Sequence, residues 1–487
     1  MTTLTPRSED FPRWYQDVVA AADLAEGGPA RGTIVIKPYG YGIWEQIQRQ
    51  LDARIKETGH KNAYFPLFIP MSFLEKEAHH VEGFSPELAV VTHGGGKELG
   101  EPLVVRPTSE TVINYMFSKW IQSHRDLPML INQWANVVRW ELRPRLFLRT
   151  TEFLWQEGHT AHATPEEAHE EAMRMLGVYR DFVRNSLAIA AITGEKTPKE
   201  RFAGADRTFT VEGLMQDGKA LQMGTSHELG QNFARAFEIQ FTDEDGTQKY
   251  VWQTSWGVST RLIGALIMSH GDDYGLRLPP AVAPLQVVLV PLPEEGDEPL
   301  RKSREVAEAL KTKGIRVEVD TNLHQSFGWR SVEWELKGVP VRIEIGPRDL
   351  RSGAAVVVRR DYRSKQQLPL GDLPEAVPEL LEEIQKVLFE QHQEFVLRNT
   401  RVPESFEAMA EGMEKEGGFF VFPFCGSEQC EERIGELAAA SIRCLDSPEL
   451  AEQGYEEEIE KVLGDSSGKC LICKDRSSRV AVAARAY

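Results

Sequence analysis

Residues 106–160 hold the most informative polar pattern in the chain, which reads RPTSE at 106–110, VRWE at 138–141, RTTE at 149–152 and WQEGHT at 155–160. Arg139 and Glu141 are separated by one residue, so on a strand their side chains would share a face. Such a pair is usually an ordinary salt bridge. A guanidinium can also grip a phosphate through two hydrogen bonds, and a nearby carboxylate can accept from an adenine amino group. The spacing therefore indicates a candidate nucleotide site.

Two later segments have a similar polar character. Gln222-Met-Gly-Thr225-Ser-His227 gathers polar side chains around a glycine, and Arg261 stands directly before an apolar helix predicted over residues 262–268. A cation at a helix N-terminus is electrostatically unfavourable for the helix. Arg261 is therefore either a solvated surface residue or a contact for an anion, and the residues alone do not favour one of these alternatives.

Several common nucleotide-binding and hydrolase motifs are absent from the sequence. The Gly-Lys pairs ending at Lys97, Lys219 and Lys469 are not followed by Ser or Thr, so there is no Walker-type phosphate loop. Neither GxGxxG nor GxSxG occurs, which argues against a Rossmann dinucleotide site and an esterase elbow. His159 and His162 are three residues apart but lack a third ligand nearby, so we interpret them as structural rather than metal-binding.

Composition bounds the class of protein. The chain has 487 residues, enough for about three domains. Its 74 acidic and 56 basic side chains give a net charge of −18, which as an average argues against nucleic-acid binding. Residues 330–365, the basic strip, depart from this average with 9 basic and 5 acidic side chains. There is no apolar segment in residues 1–10 and no run of about 18 apolar residues, so we expect a soluble cytoplasmic protein without a membrane span.

Hydrophobic patterning and proline-rich boundaries divide the chain into predicted domains at 1–281, 282–396 and 397–487. A strand predicted over 62–70 contains Pro66, which cannot donate to a ladder, so it should lie at an edge or interface. The other predicted elements are helices over 43–55, from Thr164, over 300–313 and near 374–395, and strands over 285–290, 315–319, 341–345, 354–358, 419–424 and 479–484. Strands and helices alternate in the second domain, as in a compact α/β unit.

All five cysteines lie after residue 424. Cys425 and Cys430 form one close pair, and Cys470 and Cys473 form a second after 39 intervening residues. Two such pairs suit a structural tetrahedral zinc ion with no open coordination position. A cytosolic redox pair is the alternative. Cys444 stands outside both pairs and reads as a small core residue.

Taken together, these blocks resemble the prolyl-tRNA synthetases, class II aminoacyl-tRNA synthetases, in their archaeal/eukaryotic-like form. The helix and strand ending at Pro66 resemble class motif 1, Arg139-x-Glu141 resembles motif 2, and Arg261 resembles motif 3. Thr260 stands where the class usually has glutamate, as this family tolerates. Similarity to proline enzymes in particular is carried by RPTSE (106–110), FLWQEGHTAHAT (153–164), GTSHELGQNFARAFEI (224–239) and SWGVSTRLIGALIMSHGDD (255–273).

The resemblance implies an α/β (α+β) fold: an antiparallel-sheet catalytic core, an α/β anticodon-binding domain and a small zinc-containing C-terminal domain. It implies activation of L-proline with ATP and Mg²⁺ to prolyl-adenylate, followed by transfer to the 3′ end of tRNA(Pro). The implied catalytic residues are Arg139 and Arg261. The implied ATP-binding residues are Arg139, Glu141, Thr150, Thr151, Gln222, Thr225 and Arg261. The implied proline-binding residues are Thr108, Glu110, Arg139, Trp155, Glu157, Phe202 and His227.

The same resemblance assigns the basic strip to the anticodon. Arg342 and Arg348 suit guanine O6 and N7, and Glu335 can accept from a base amino group, although solvated ion pairs are the alternative for each. The implied zinc ligands are Cys425, Cys430, Cys470 and Cys473. A homodimer through motif 1 is expected, and the tail ending at Tyr487 should pack toward the catalytic domain.

Arg139 and Arg261 are only 122 residues apart, which leaves no room for the editing domain that bacterial-type relatives insert. Mischarged alanyl- or cysteinyl-tRNA is therefore expected to need a separate editing factor. Two other readings stay open at this point: an inactive paralogue that binds tRNA as a regulator, and a sister class II enzyme for threonine, glycine or histidine.

Overall fold

The computed structural model describes residues 4–75, 88–141, 143–292, 297–447, 468–477 and 479–487. None of the helices in these ranges is long and apolar enough to cross a bilayer. The described elements form a mixed α/β architecture around a large, mainly antiparallel sheet, as predicted from the sequence.

The large sheet runs through both the first and the third predicted domain. Within the described ranges its strands are, in spatial order, β20 (Thr400–Arg401), β21 (Phe419–Phe424), β23 (Arg479–Ala484), β22 (Ser441–Leu445), β9 (Ala191–Glu195), β10 (Arg207–Leu214), β11 (Ala220–Gly230), β14 (Trp252–Ser259), β8 (Glu152–His162), β7 (Met129–Val138) and β3 (Lys61–Asn62). Only the two outermost pairs, β20–β21 and β3–β7, are parallel. The pairing of Leu445 with Glu195 joins the C-terminal strands to those of the predicted catalytic domain. We call the latter, from β9 to β3 in this order, the catalytic strands.

Helices pack on the catalytic strands and on a smaller sheet described below, and they supply much of the apolar core. They are α1 (Phe11–Ala21), α2 (Pro38–Glu57), α3 (Met71–Glu75), α4 (Glu110–Trp120), α5 (Pro165–Asn185), α6 (Asn232–Ala236) and α7 (Arg261–His270). α5 begins as its sequence predicts, because the Thr164 hydroxyl accepts from the Glu167 N–H at 3.2 Å and Pro165 opens the first turn. Its Tyr179 and Phe182 are fully buried against the sheet.

The prediction of a single strand over 62–70 is wrong. The structure ends β3 at Asn62 and begins β4 (Phe68–Pro70) after five intervening residues, one of which is Pro66. Side chains satisfy the backbone there instead: the Phe65 N–H donates to Gln133 Oε1 at 2.6 Å, and the Phe65 carbonyl accepts from Arg106 at 2.7 Å. β4 then joins β6 (Lys97–Val105) and β5 (Ala89–Gly94) in a separate three-stranded sheet.

The second domain is a five-stranded sheet with helices packed on it. The strands, in spatial order, are β16 (Val317–Val319), β15 (Val287–Pro291), β17 (Val341–Ile345), β18 (Ala354–Arg359) and β19 (Lys365–Pro369), and the first three are parallel. The helices are α8 (Glu298–Thr312), α9 (Phe327–Leu336), α10 (Pro347–Ser352) and α11 (Leu373–Arg398). α11 ends two residues beyond the proposed boundary at 396.

The third domain adds α12 (Phe406–Lys415) and α13 (Glu428–Ala438) to its strands. Met409, Phe422 and Phe424 form its small apolar core, which also contains Cys430 and Cys470. Two short β-ribbons complete the described fold, β1 (Ala25–Gly27) with β2 (Ile34–Ile36) and β12 (Gln240–Thr242) with β13 (Gln248–Tyr250).

A joint between the first two domains lies directly after α7. Asp272 accepts two hydrogen bonds from Arg360 of the second domain, at 2.8 and 2.6 Å. Burial alone would raise the pKa of Asp272, but the hydrogen bonds and charge of Arg360 more than offset it and hold that pKa below its usual range. Gly275 has φ +123°, and a Cβ there would lie 2.6 Å from the Leu336 backbone. The two backbones therefore meet with no space for a side chain.

Removing Arg360 should weaken this joint. We expect Arg360→Ala to lower the free energy of unfolding at pH 7 by roughly 2–3 kcal/mol, because it leaves a largely buried carboxylate unpaired. The stabilisation is complete above the ordinary aspartate pKa of about 3.9 and is lost as the pH falls through the lower pKa of the folded state. Urea unfolding at pH 7 and pH 3 measures this, with the exposed Arg351→Ala as control. An equal loss at both pH values would contradict it.

Candidate active site

Two adjoining cavities open above the catalytic strands. The larger, about 290 Å³, is lined by ten of the residues predicted from the sequence: Thr108, Glu110, Arg139, Trp155, Glu157, Phe202, Gln222, Thr225, His227 and Arg261. The smaller, about 180 Å³, is lined by Arg139, Glu141, Thr150 and Arg261, together with Phe147, Leu148, Arg149, Phe153 and Ser259. Arg139 and Arg261 border both cavities, together with Phe153 and Ser259, so a ligand that occupies both lies close to these two cations.

The larger cavity has a floor of buried carboxylates. The Glu157 carboxylate accepts from Ser109 Oγ, from Gln133 Nε2 at 2.8 Å and from His159 Nε2 at 2.8 Å. Thr108 Oγ1 donates to the neighbouring Glu110. Burial would lower the pKa of His159, but the hydrogen bond to Glu157 and the charges of Glu157 and Glu110 raise it above its usual value. The floor therefore holds fixed negative charge that is only partly neutralised.

The walls of this cavity are aromatic. The rings of Phe202 and His227 lie 4.7 Å apart, and His227 Nδ1 is hydrogen-bonded to Thr208 Oγ1 at 2.9 Å. Trp155 Nε1 is buried and has no hydrogen-bond partner among the described residues. A buried donor without an acceptor is costly, so a ligand that supplies one is favoured at this wall. Trp256 closes the base over Gly158, where a Cβ would lie only 2.1 Å from its ring.

Arginines dominate the smaller cavity. Arg261 is the first residue of α7, its N–H donates to Ser259 Oγ at 3.2 Å, and its Nε donates to the Leu148 carbonyl at 3.3 Å. Burial, together with the charges of Arg139 and Arg149, lowers the pKa of the Arg261 guanidinium to about 10. Three cations therefore converge on the start of α7, with Glu141 as the carboxylate beside Arg149. A helix start among clustered cations is an environment that stabilises an anion, and the anion-binding alternative for Arg261 stays a prediction.

Two sequence expectations about motif 2 need correction. β7 ends at Val138, so Arg139 and Glu141 lie just past the strand rather than along one of its faces. They still reach the same cavity, where Glu141 pairs with Arg149 at 3.4 Å. Thr151 lines neither cavity; its N–H donates to the Gly32 carbonyl at 2.9 Å and its side chain is buried.

Other residues at the site were missed by sequence reasoning. Arg106 is fully buried and donates to the Phe65 and Asn136 carbonyls, so it braces the strand that precedes Arg139. Gln133 and His159 orient Glu157. A usable signal existed for His159 only: it stands two residues after Glu157 and so on the same face of β8.

Comparisons with known proteins agree with this geometry. Residues 91–270 match the family model of the tRNA synthetase class II core domain (G, H, P, S and T), residues 286–380 match an anticodon binding domain, and residues 406–487 match the prolyl-tRNA synthetase C-terminal domain. The chain is 58% identical to proline–tRNA ligase 2 of Streptomyces avermitilis over 99% of both chains. It is 54% identical to proline–tRNA ligase of Chlorobium luteolum, again over 99% of both.

The chain belongs to the prolyl-tRNA synthetase family. A solved prolyl-tRNA synthetase from Cryptosporidium parvum, complexed with halofuginone and AMPPNP, superimposes with a TM-score of 0.92 at 38% identity and covers 100% of this chain and 99% of its own. A second structure of that enzyme, complexed with L-proline and AMP, gives a TM-score of 0.91 at 37% identity, covering 99% of this chain and 96% of the other.

The basic strip of this synthetase is largely neutralised by pairing. Seven of its nine basic side chains have a carboxylate partner within 4 Å, among them Arg342 with Glu344 at 2.9 Å and Arg363 with Glu335 at 2.5 Å. Within the described ranges, the two without an acidic partner are Arg348 and Arg351 on α10. Of the three predicted anticodon residues, Arg348 alone therefore presents a free, exposed charge.

The cysteines of the C-terminal domain come together as the spacing predicts. The Sγ atoms of Cys425, Cys430, Cys470 and Cys473 all lie within 4.8 Å of one another, with 3.7 Å between Cys425 and each of Cys430 and Cys473. Four sulfurs bound tetrahedrally at about 2.3 Å from zinc lie roughly 3.8 Å apart, so the cluster fits that ion. No disulfide forms among these free cysteines, and Cys444 is buried elsewhere against Gly194.

The C-terminal tail packs on the catalytic domain. Tyr487 Oη donates to Asp217 Oδ2 at 2.6 Å, and the Tyr487 N–H donates to the Ala220 carbonyl at 3.2 Å. Arg145, in the loop after Glu141, lies 5.9 Å from the Tyr487 ring. The tail therefore reaches the loop that borders the smaller cavity.

The cysteine cluster predicts bound metal. We expect about one zinc per chain in protein purified without chelator, and we expect Cys470→Ser to lose zinc and unfold more readily, because structural zinc contributes folding free energy. Elemental analysis and thermal unfolding measure the two effects. Cys444→Ala, outside the cluster, should keep its zinc. Wild-type protein without stoichiometric metal would contradict the assignment.

Proposed function

We propose that the chain is a proline–tRNA ligase. In the first step, a carboxylate oxygen of proline attacks the α-phosphorus of ATP to give prolyl-adenylate and pyrophosphate. In the second, a 3′-terminal ribose hydroxyl of tRNA attacks the prolyl carbonyl and releases AMP. The observation that carries the proposal is the pair of adjoining cavities, one built for a small cation and one for a polyanion, which meet at Arg139 and Arg261.

The larger cavity suits proline. The ring would lie between the aromatic walls of Trp155, Phe202 and His227. The secondary ammonium is a cation that needs a buried carboxylate partner, which Glu110 and Glu157 supply together with the hydroxyl of Thr108. A pocket of this kind selects by both shape and charge, because an amino acid whose ammonium cannot reach the carboxylates forgoes that ion pair.

The smaller cavity suits ATP. Arg139 would hold the α-phosphate and the proline carboxylate, Arg261 the γ-phosphate, and Glu141 the adenine amino group. Thr150, Gln222 and Thr225 would line the nucleotide. Thr151 lines neither cavity, so its support of Gly32, rather than direct contact, is the role that we assign to it.

Neither step needs a protein nucleophile. The residues would act by holding the carboxylate in line with the α-phosphorus and by stabilising the charge that develops there. Mg²⁺ would arrive with ATP, since it binds mainly through substrate phosphates and water. Apart from the cysteine cluster, the described residues contain no group of three His, Cys, Asp or Glu side chains close enough to hold a metal ion, which agrees with a metal held chiefly by the nucleotide.

An inactive paralogue is the less favoured alternative, because Arg139, Glu141 and Arg261 are all present and converge on the cavities.

We further propose a homodimer through the motif 1 segment, where Tyr64 is 71% exposed and Phe68 is 48% exposed. A monomer in analytical ultracentrifugation would contradict the dimer. We also propose that the enzyme is cytoplasmic and that a separate editing factor clears its mischarged tRNA. Alanyl-tRNA deacylase activity of this chain would contradict the need for that factor.

The central test is ATP–pyrophosphate exchange with a panel of amino acids. Wild-type protein should exchange with proline and not with threonine, glycine or histidine. Arg139→Ala should reduce the exchange rate by roughly a hundredfold or more while the fold stays intact, because it removes a charge that stabilises the transition state. Arg143→Ala, an exposed change four residues on that lines neither cavity, is the matched control. Near-normal exchange by Arg139→Ala would overturn the residue assignment.

A second test concerns tRNA. Arg348→Ala should raise KM for tRNA(Pro) by roughly tenfold, as expected from losing one contact to a guanine edge, and should leave pyrophosphate exchange unchanged. Steady-state charging measured at several salt concentrations gives this value. Arg304→Ala, an exposed arginine on α8, serves as the control. An unchanged KM for tRNA would remove Arg348 from the anticodon surface.

A further inference from the structure

The loop between β9 and β10 forms one wall of the larger cavity. Its Glu200 and Phe202 line that cavity, and Phe202 lies against the ring of His227. Toward the far end of the loop, the Phe202 N–H donates to Thr208 Oγ1 at 3.1 Å. The same Thr208 hydroxyl is hydrogen-bonded to His227 Nδ1. That end is therefore fixed to the catalytic sheet.

The near end of the loop is fixed both to β10, where the Lys196 N–H donates to the Thr208 carbonyl at 2.7 Å, and to the C-terminal domain. Thr197 Oγ1 donates to Glu431 Oε1 of α13 at 2.7 Å, and both residues are buried. The preceding residue, Lys196, is bonded to Glu212 at 2.7 Å, and Glu212 is bonded to Arg443 of β22. Lys196 is thus held by β10, with Arg443 bonded to the same carboxylate, whereas the Thr197 side chain is held directly by the C-terminal domain.

This arrangement gives the C-terminal domain a part in substrate binding. Without the contact to Glu431, the residues that follow Lys196 would have to be ordered each time a ligand binds, at a cost in conformational entropy. With both ends fixed, Phe202 and Glu200 are already in place. Among the described residues, the only other hydrogen bond of the Thr197 hydroxyl is from the Glu200 N–H of the same loop, at 3.3 Å.

We propose that Thr197 and Glu431 are positioning residues through which the C-terminal domain sets the wall of the proline pocket. This inference rests on the proposed proline–tRNA ligase activity. Because neither residue lines the nucleotide cavity, their contact should govern the affinity for proline and leave that for ATP unchanged.

The test measures KM for proline and for ATP separately by pyrophosphate exchange. Thr197→Val removes the hydroxyl at nearly constant volume, and Glu431→Ala removes its acceptor. Each should raise KM for proline by roughly fivefold to twentyfold, the change expected from losing one hydrogen bond to a charged group, with KM for ATP within about twofold. The double variant should be no worse than either single one, because both remove the same contact.

Two further variants separate positioning from general destabilisation. Glu431→Gln keeps an oxygen that accepts from Thr197 and should return KM for proline to within about twofold of wild type. Glu432→Ala, an exposed change beside it on α13, should have no effect. KM is independent of the fraction of protein that is folded, so a variant of lower yield still reports on the contact.

The outcomes are distinct. An unchanged KM for proline in Thr197→Val and Glu431→Ala overturns the positioning role and leaves the proposed activity intact. A parallel rise of KM for both proline and ATP also overturns it, since it shows a general disturbance of the site. Wild-type protein without proline-dependent exchange refutes the proposed activity itself.

Discussion

The Glu212 carboxylate, completely buried in the middle of the large sheet, constrains the rest of the architecture. Moving a carboxylate from water to such a place is costly unless cations and donors surround it. Lys196, Thr210 and Arg443 all donate to it. Burial would raise the pKa of Glu212, but the charges of Lys196 and Arg443 and the hydrogen bonds hold it below the usual value. Since Arg443 comes from the C-terminal domain, the catalytic sheet cannot satisfy Glu212 alone.

The same requirement for paired polar groups shapes the substrate cavities. Each carboxylate on the floor of the larger cavity has its own donors, from Ser109, Gln133 and His159 for Glu157 and from Thr108 for Glu110. Three arginines line the smaller cavity, and one of them, Arg149, is paired there with Glu141. The proposed ligands follow this division, because the carboxylates of the larger cavity suit the proline ammonium and the arginines of the smaller cavity suit a triphosphate.

Local spacing in the sequence was enough to predict features carried by nearby residues. The two cysteine pairs, the Thr164 cap and the convergence of Arg139, Glu141 and Arg261 all follow from short motifs, the last with help from a family resemblance. The contacts that join the domains do not, because Arg443 lies 231 residues from Glu212 and Glu431 lies 234 from Thr197. Nothing in local periodicity pairs such residues. Pro66 was read correctly as unable to join a ladder, but the backbone partners that replace the ladder come from distant Gln133 and Arg106.

Charge counts over a chain or a segment leave out which charges are paired. The net −18 argued as an average against a nucleic-acid partner, and the excess of basic residues over 330–365 then indicated a local basic strip. The structure shows that most of these cations are already committed to carboxylates, several of them outside the segment, such as Asp272, Asp320 and Glu383. What an RNA phosphate or base edge meets is the charge left after pairing. By that measure the short helix α10 keeps two exposed arginines, Arg348 and Arg351, that have no acidic partner among the described residues, whereas the paired arginines of the basic strip help to hold the fold.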